Sequence, residues 1–183
     1  LIPLASTCKS PMSMLSNLLK TYYAQVKGLN PANIFVVGVM PCTAKKFEAE
    51  RPEFAAPDGK PHTDAVLTTR ELVWMIKAYG IDFANLPEGE FDAPLGFSSG
   101  AADIFGATGG VMEAALRTAA EKITGQPLEN LDFTEVRADK GLRELTIEIG
   151  GKALNVAVAD GLGNARVILD KIRSGEKQYH MVE

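Results

Sequence analysis

An α/β fold is predicted for this chain: a mostly parallel sheet flanked by helices, two-lobed, with one antiparallel hairpin. Three observations lead there. Helical and strand-like segments alternate along most of the chain, the order that builds parallel sheets with crossover helices. The run Ile34-Phe35-Val36-Val37-Gly38-Val39 is apolar throughout rather than alternating, as in a strand covered on both faces. Gly150-Gly151 joins two strand-like runs, 143–149 and 153–159, at the spacing of a two-residue hairpin turn.

Taken in order, Ser10-Pro11 signals a helix start, with serine as N-cap and proline at the first position, where no N–H is needed. Met14, Leu15, Leu18, Leu19, Tyr22 and Val26 recur at helical spacing and predict one buried face up to about Lys27, with Gly28 as terminator. Asn30-Pro31 turns the chain into the valine-rich strand, which Pro41 stops because it has no N–H to donate. The acidic, proline-containing segment 46–61 reads as a surface loop. A short strand follows at 65–68, and Thr68-Thr69-Arg70-Glu71 has capping-box spacing ahead of Leu72, Val73, Met75 and Ile76, a helix ending near Gly80. Residues 81–94 are loose, and a lobe boundary is predicted near 83–99. Phe105 to Gly110 is glycine-rich and leads into a helix whose buried stripe reads as Val111, Ala114, Ala115, Ala119 and Ile123; Gln126-Pro127 and Asn130 break it. Strands at 133–137, 143–149 and 153–159 are predicted next, then a helix over Ala165, Ile168, Leu169 and Ile172 that ends near Gly175.

At 183 residues the chain is long enough to bury a core without disulfide staples. Hydrophobic residues at 46% and charged residues at 23% exclude wholesale disorder. A net charge of −4 offers no footprint for nucleic acid. No apolar run approaches the roughly 20 residues that span a bilayer, and the start lacks a secretory pattern, so the default setting is cytoplasmic. Leu1 is not an initiator methionine and 179–183 reads as a strand barely finished. The chain is therefore expected to be a piece of something longer.

Cys42 is the sharpest chemical candidate. It lies just past the carboxyl end of the predicted strand, where open α/β sheets place their ligand sites, and Lys45 and Lys46 could lower its pKa or stabilise an anion beside it. For a lone cysteine the buried structural thiol leads, because free cysteines tend to be buried, ahead of a nucleophile or one ligand of a cluster completed elsewhere. His62 and His180, the only histidines, lie in no local motif that would supply a base. Cys8 and Cys42 read as free thiols or one metal ligand rather than a disulfide framework. The 105–110 loop could present N–H groups to an anion, but no Gly-Lys-Ser/Thr follows to make a P-loop. Asp160-Gly161-Leu162-Gly163 is similar to a dinucleotide fingerprint, yet Arg166 occupies the third glycine position, so it reads as a strand-to-helix turn.

Four stretches together carry a resemblance: Ser6-Thr7-Cys8-Lys9-Ser10-Pro11, Met40-Pro41-Cys42-Thr43-Ala44-Lys45-Lys46-Phe47-Glu48, Phe105-Gly106-Ala107-Thr108-Gly109-Gly110-Val111-Met112-Glu113, and Gly161-Leu162-Gly163-Asn164-Ala165. The chain resembles the catalytic domain of the iron-only (FeFe) hydrogenases over nearly its whole length. The Met-Pro-Cys-x-x-Lys-x-x-Glu pattern is the second of three signature motifs in that family.

The resemblance implies an iron hydrogenase catalytic-domain fold and the reversible oxidation of dihydrogen to protons and electrons. Its cofactor is the H-cluster, a 4Fe-4S cubane held by four cysteines, one of which bridges to a diiron subcluster carrying carbonyl and cyanide. By resemblance Cys42 is a cubane ligand, and Lys45 donates a charge-assisted hydrogen bond to a cyanide. Met40, Ser10, Pro11, Phe105 and Gly106 wall the pocket, and Ser6 belongs to the proton-transfer chain. The loop glycines at 106–110 would let backbone approach the cofactor. The first and third cysteine motifs are absent, so this chain alone is expected to bind no cluster and to be inactive by itself. Met12 stands where many members have glutamine, which alters the pocket edge. The implied partners are the rest of the hydrogenase chain, a ferredoxin or partner redox subunit, and the small-molecule substrate. A non-catalytic homologue in iron-sulfur protein assembly or hydrogen sensing is the alternative, and a scaffold domain with Cys42 merely buried is a further one.

Overall fold

The computed structural model describes residues 3, 5–97, 99–126 and 141–183, and its contacts divide the chain into two units, Leu1–Gly96 and Phe97–Glu183. In the first, Ser10 caps helix α1 (Pro11–Leu18): its hydroxyl accepts from the Ser13 N–H at 3.4 Å, and Pro11 occupies the first turn. The helix runs on through a wider π-helical stretch, Leu19–Tyr23, into α2 (Ala24–Lys27) and ends on Gly28 in the left-handed conformation.

The apolar face predicted to be buried is not the face this unit covers. Met14, Leu15, Leu18, Tyr22 and Val26 are exposed, whereas Met12, Ser13, Ser16 and Ala24 are buried. The inward face is tied by polar contacts instead: Thr63 Oγ1 donates to Ser16 Oγ at 2.8 Å, Ser16 Oγ to the Met12 carbonyl at 2.8 Å, and Lys20 pairs with Asp64 at 2.6 Å. Helical spacing locates an apolar stripe. It does not say which elements of the same unit lie over it.

Strands β1 (Val37–Met40) and β2 (Ala65–Thr68) pair in parallel, with Val37 opposite Ala65 and Met40 opposite Thr68. The crossover contains α3 (Ala44–Ala49), a 3-10 turn at Pro52–Phe54 and a bridge between Ala55 and Pro61, so the predicted loop at 46–61 is structured. Pro52 stands in the first turn of its short helix, where it starts structure rather than breaking it. Helix α4 (Thr69–Ala78) follows with a complete capping box between Thr68 and Glu71. Cover on both faces of β1 does not hold within this unit: Gly38 is buried, but Val37 and Val39 are 43% and 45% exposed. This sheet has only two described strands, and Met12 covers the Gly38 side.

The second unit contains α5 (Ala101–Ile104), α6 (Gly110–Thr124), the antiparallel pair β3 (Leu142–Ile149) and β4 (Lys152–Ala159), α7 (Leu162–Ser174) and β5 (Met181–Val182), which is parallel to β4. Gly150 and Gly151, at φ +57° and +75°, make the two-residue turn between β3 and β4, where non-glycine residues would be strained. The core joins Met112, Leu116 and Ala120 of α6 to Ile149, Val156 and Val158, all nearly inaccessible. Helix α7 packs on β4, with Ile168 fully buried.

The buried stripe of α6 therefore differs from the alanine stripe predicted for it. Val111 and Ile123 are 39% and 49% exposed, and Met112, Glu113, Leu116 and Ala120 point inward. Gly109 and Gly110 set that rotation. Gly109 has φ +88°, and a Cβ on Gly110 would collide with the Ile104 carbonyl oxygen, so α6 starts hard against α5. The helix ends on Gly125, in the left-handed conformation. The predicted strand at 133–137 and the break at Pro127 and Asn130 lie outside the described residues. None of the described helices is long and apolar enough to cross a membrane.

Candidate functional site

The parallel pair of the first unit directs two carboxyl ends the same way. β2 ends on Thr68, the cap of α4, and β1 ends on Met40, after which Pro41 and Cys42 lead into α3. Cys42 is exposed and unpaired in any disulfide, as is Cys8. That removes the reading of Cys42 as a buried structural thiol. Its carbonyl accepts from the Lys45 N–H at 3.3 Å, so the cysteine forms the approach to the helix that carries the lysine.

Residues three apart on a helix share a face, as Lys45 and Glu48 of α3 do, while Cys42 precedes the helix. Lys45 lies three after Cys42, and Glu48 three after Lys45. Lys45 Nζ donates to Glu48 Oε2 at 2.5 Å, with the side chains 29% and 17% exposed. The other carboxylate oxygen, Oε1, accepts from two hydroxyls of α1: Ser13 Oγ at 2.6 Å, and Ser10 Oγ. Partial burial on its own would raise the Glu48 carboxyl; the lysine and the two serines outweigh it and lower the pKa from 4.5 to about 2. Glu48 is thus an anion held by three donors, and it ties α3 to the start of α1.

Other residues singled out in the sequence fall as follows. Ser10 serves as N-cap and donates to Glu48, so its hydroxyl does more than cap. Pro11 is exposed and Met40 half-buried. Met12 is 8% exposed and its Sδ lies 2.9 Å from where a Gly38 Cβ would be, so it packs between α1 and β1. Ser6 is exposed, and its hydroxyl accepts from the Cys8 N–H at 3.0 Å. Lys46 is engaged by Glu71 at 2.6 Å, which explains why that carboxyl is lowered to about 2, first through the lysine and then through Thr68. Lys46 is therefore directed to the cap of α4.

His62 is 9% exposed, and the Phe54 carbonyl, which can only accept, lies within hydrogen-bond distance of its Nδ1 at 3.0 Å. His180 Nδ1 accepts from the Asn155 N–H at 3.0 Å. Among the described residues neither histidine is bonded to Cys42, which leaves a nucleophile-and-base arrangement unsupported. In the second unit Phe105 is half-buried and Gly106 exposed, between α5 and α6. A Cβ on Gly106 would meet only the Asp103 carbonyl at an ordinary 3.7 Å. The fold itself accounts for Gly109 and Gly110, but not for Gly106. Gly161 precedes α7 as its N-cap, and nothing approaches Gly163, in keeping with a plain strand-to-helix turn.

Glu48 and Ser13 were given no role from the sequence. The Lys45/Glu48 spacing was a usable signal; the serines come from 35 and 38 residues away and gave none. Among the described residues no three His, Cys, Asp or Glu side chains converge to hold a metal ion. An exposed thiol three residues before a helix-borne lysine is a residue pair suited to one corner of a thiolate-ligated cluster with an anionic ligand next to it.

Comparison with known proteins shows the family. The family model described as the iron-only hydrogenase large subunit, C-terminal domain, matches residues 1–183. The NADP-reducing hydrogenase subunit HndD of Solidesulfovibrio fructosivorans is 49% identical over 183 residues, all of this chain and 31% of that protein. The periplasmic Fe hydrogenase large subunit of Nitratidesulfovibrio vulgaris is 47% identical, again over all of this chain and 43% of that protein. Protein NAR1 of Arabidopsis thaliana is 33% identical, over all of this chain and 41% of its own length. An FeFe hydrogenase structure that describes oxygen inactivation at the 2Fe subcluster of the H cluster superposes with a TM-score of 0.79 at 42% identity, covering 100% of this chain and 52% of that one. An apo FeFe hydrogenase HydA1 variant from Chlamydomonas reinhardtii gives a TM-score of 0.78 at 42% identity, over 99% of this chain and 52% of that one. The chain thus spans about a third to a half of the length of these relatives. It belongs to the iron-only hydrogenase large-subunit family and corresponds to part of the C-terminal domain.

Proposed function

We propose that this chain is part of the catalytic domain of an FeFe hydrogenase, and that the whole protein interconverts dihydrogen with protons and electrons. The observation that carries this reading is the exposed Cys42 thiol at the carboxyl end of β1, within a motif whose Lys45 is held by Glu48. When bound in the whole protein, the H-cluster supplies the redox iron chemistry. Cys42 contributes one thiolate to the cubane. Lys45 offers its ammonium to a cyanide, a contact strengthened because the donor is charged. Met40, Ser10 and Pro11 of the first unit would line the cofactor space, and the exposed Ser6 hydroxyl would pass protons.

A role in iron-sulfur protein assembly is the second reading. Its support is the match to relatives such as the mouse cytosolic iron-sulfur assembly component 3, which is 31% identical. The 47–49% identity to hydrogenases favours the enzyme. The electron partner is proposed to be a ferredoxin or a redox subunit, and the setting cytoplasmic. The periplasmic relative makes cell fractionation the check on that last point.

The test is to reconstitute the whole parent protein anaerobically and measure iron content and dihydrogen evolution beside Cys42→Ser. Loss of both is expected. Unchanged iron and activity in the variant would remove Cys42 from the ligand set.

A further inference from the structure

Lysine ammonium groups are flexible point charges on four-carbon stems. A lysine that must meet one atom of a bound group therefore needs something to hold it. Lys45 has such a holder. One of its three N–H donors goes to Glu48 Oε2 at 2.5 Å, which leaves two for another acceptor. Glu48 is itself fixed from the opposite side, because Oε1 accepts from Ser13 at 2.6 Å and from Ser10. Ser13 is 6% exposed and Ser10 is the cap of α1, so both anchors belong to the folded frame and not to a mobile surface.

We propose that Glu48 is the positioning residue for Lys45, holding its ammonium through a carboxylate anchored by Ser10 and Ser13. The inference rests on the hydrogenase reading, in which Lys45 donates to a cyanide of the cofactor. In that reading Glu48 acts through the lysine, to which its Oε2 is bound. A bare ion pair at this exposure is weak; two further hydroxyl donors from another helix make this one directional.

The test uses the whole parent protein, reconstituted anaerobically, as wild type, Glu48→Gln and Ser13→Ala, with iron content and the infrared cyanide and carbonyl stretching bands as readouts. In Glu48→Gln the cyanide bands of the loaded fraction are expected to shift and broaden, with activity reduced about tenfold. Ser13→Ala is expected to shift them the same way by less, and it serves as the reading should Glu48→Gln fail to load. Cyanide bands that coincide with wild type in the loaded variants, with only iron content lowered, would show Glu48 to be a structural tie and overturn the proposal. A wild-type parent that loads iron and shows no cyanide bands would overturn the hydrogenase reading and this inference with it.

Discussion

Replacing Glu48 by glutamine keeps the side-chain volume and removes the charge, so it isolates what the anion contributes to the cluster-free fold. In the folded state the carboxyl is lowered from 4.5 to about 2. A group whose folded pKa is depressed adds stability that is fully present above the unfolded value and lost as pH falls through the folded one. The contribution is therefore complete above about pH 5 and disappears between about pH 4.5 and 2. At about 1.4 kcal/mol per unit the shift corresponds to at most about 3 kcal/mol. Water reaches this partly exposed pair and reduces it to about 1–2 kcal/mol. The assay is urea denaturation of the cluster-free protein, wild type beside Glu48→Gln, followed by circular dichroism from pH 2 to 6. Wild type should be more stable by about 1–2 kcal/mol at pH 6, and the gap should close toward pH 2. A gap that is constant across that range, or absent at pH 6, would refute the reading of Glu48 as an anion held by Lys45, Ser10 and Ser13.

Thr68→Ala removes the hydroxyl that accepts from the Glu71 N–H at 3.2 Å, and should lower stability by about 1 kcal/mol in the same urea assay. Met112→Ala empties a fully buried position in the core of the second unit and should destabilise it by about 2–5 kcal/mol, read as lost amide-exchange protection in β3 and β4. Both cysteines are exposed, so a thiol reagent under native conditions should titrate two thiols in the cluster-free protein, and one in Cys42→Ser. A single reactive thiol in the unmodified chain would contradict the exposure of Cys42 or Cys8.

Local signals carried much of the fold because they depend on near neighbours alone. The Ser10-Pro11 start, the Thr68/Glu71 capping box, the Gly150-Gly151 turn and the glycine stops at 28 and 175 each act within a few residues, and the structure shows all of them. The motif that names the family was equally legible, since the Cys42, Lys45 and Glu48 spacing lies within seven consecutive residues.

Burial was another matter. Residues 14, 15, 18, 22 and 26 form an apolar stripe, yet the unit packs the serine-bearing side of α1 inward; Val111 and Ile123 suggested the wrong face of α6. Spacing gives the period of a face, whereas its direction is chosen by what lies opposite. Here that is Thr63 and Glu48 for α1, and for α6 the β3–β4 core together with the steric stop at Gly110. The amino-acid sequence by itself determined where helices begin, which residue types reach the carboxyl end of β1, and the family. Only the tertiary structure decided that Lys45 is held rather than free, because the serines that anchor Glu48 come from a separate helix 35 and 38 residues earlier, a distance no local rule spans.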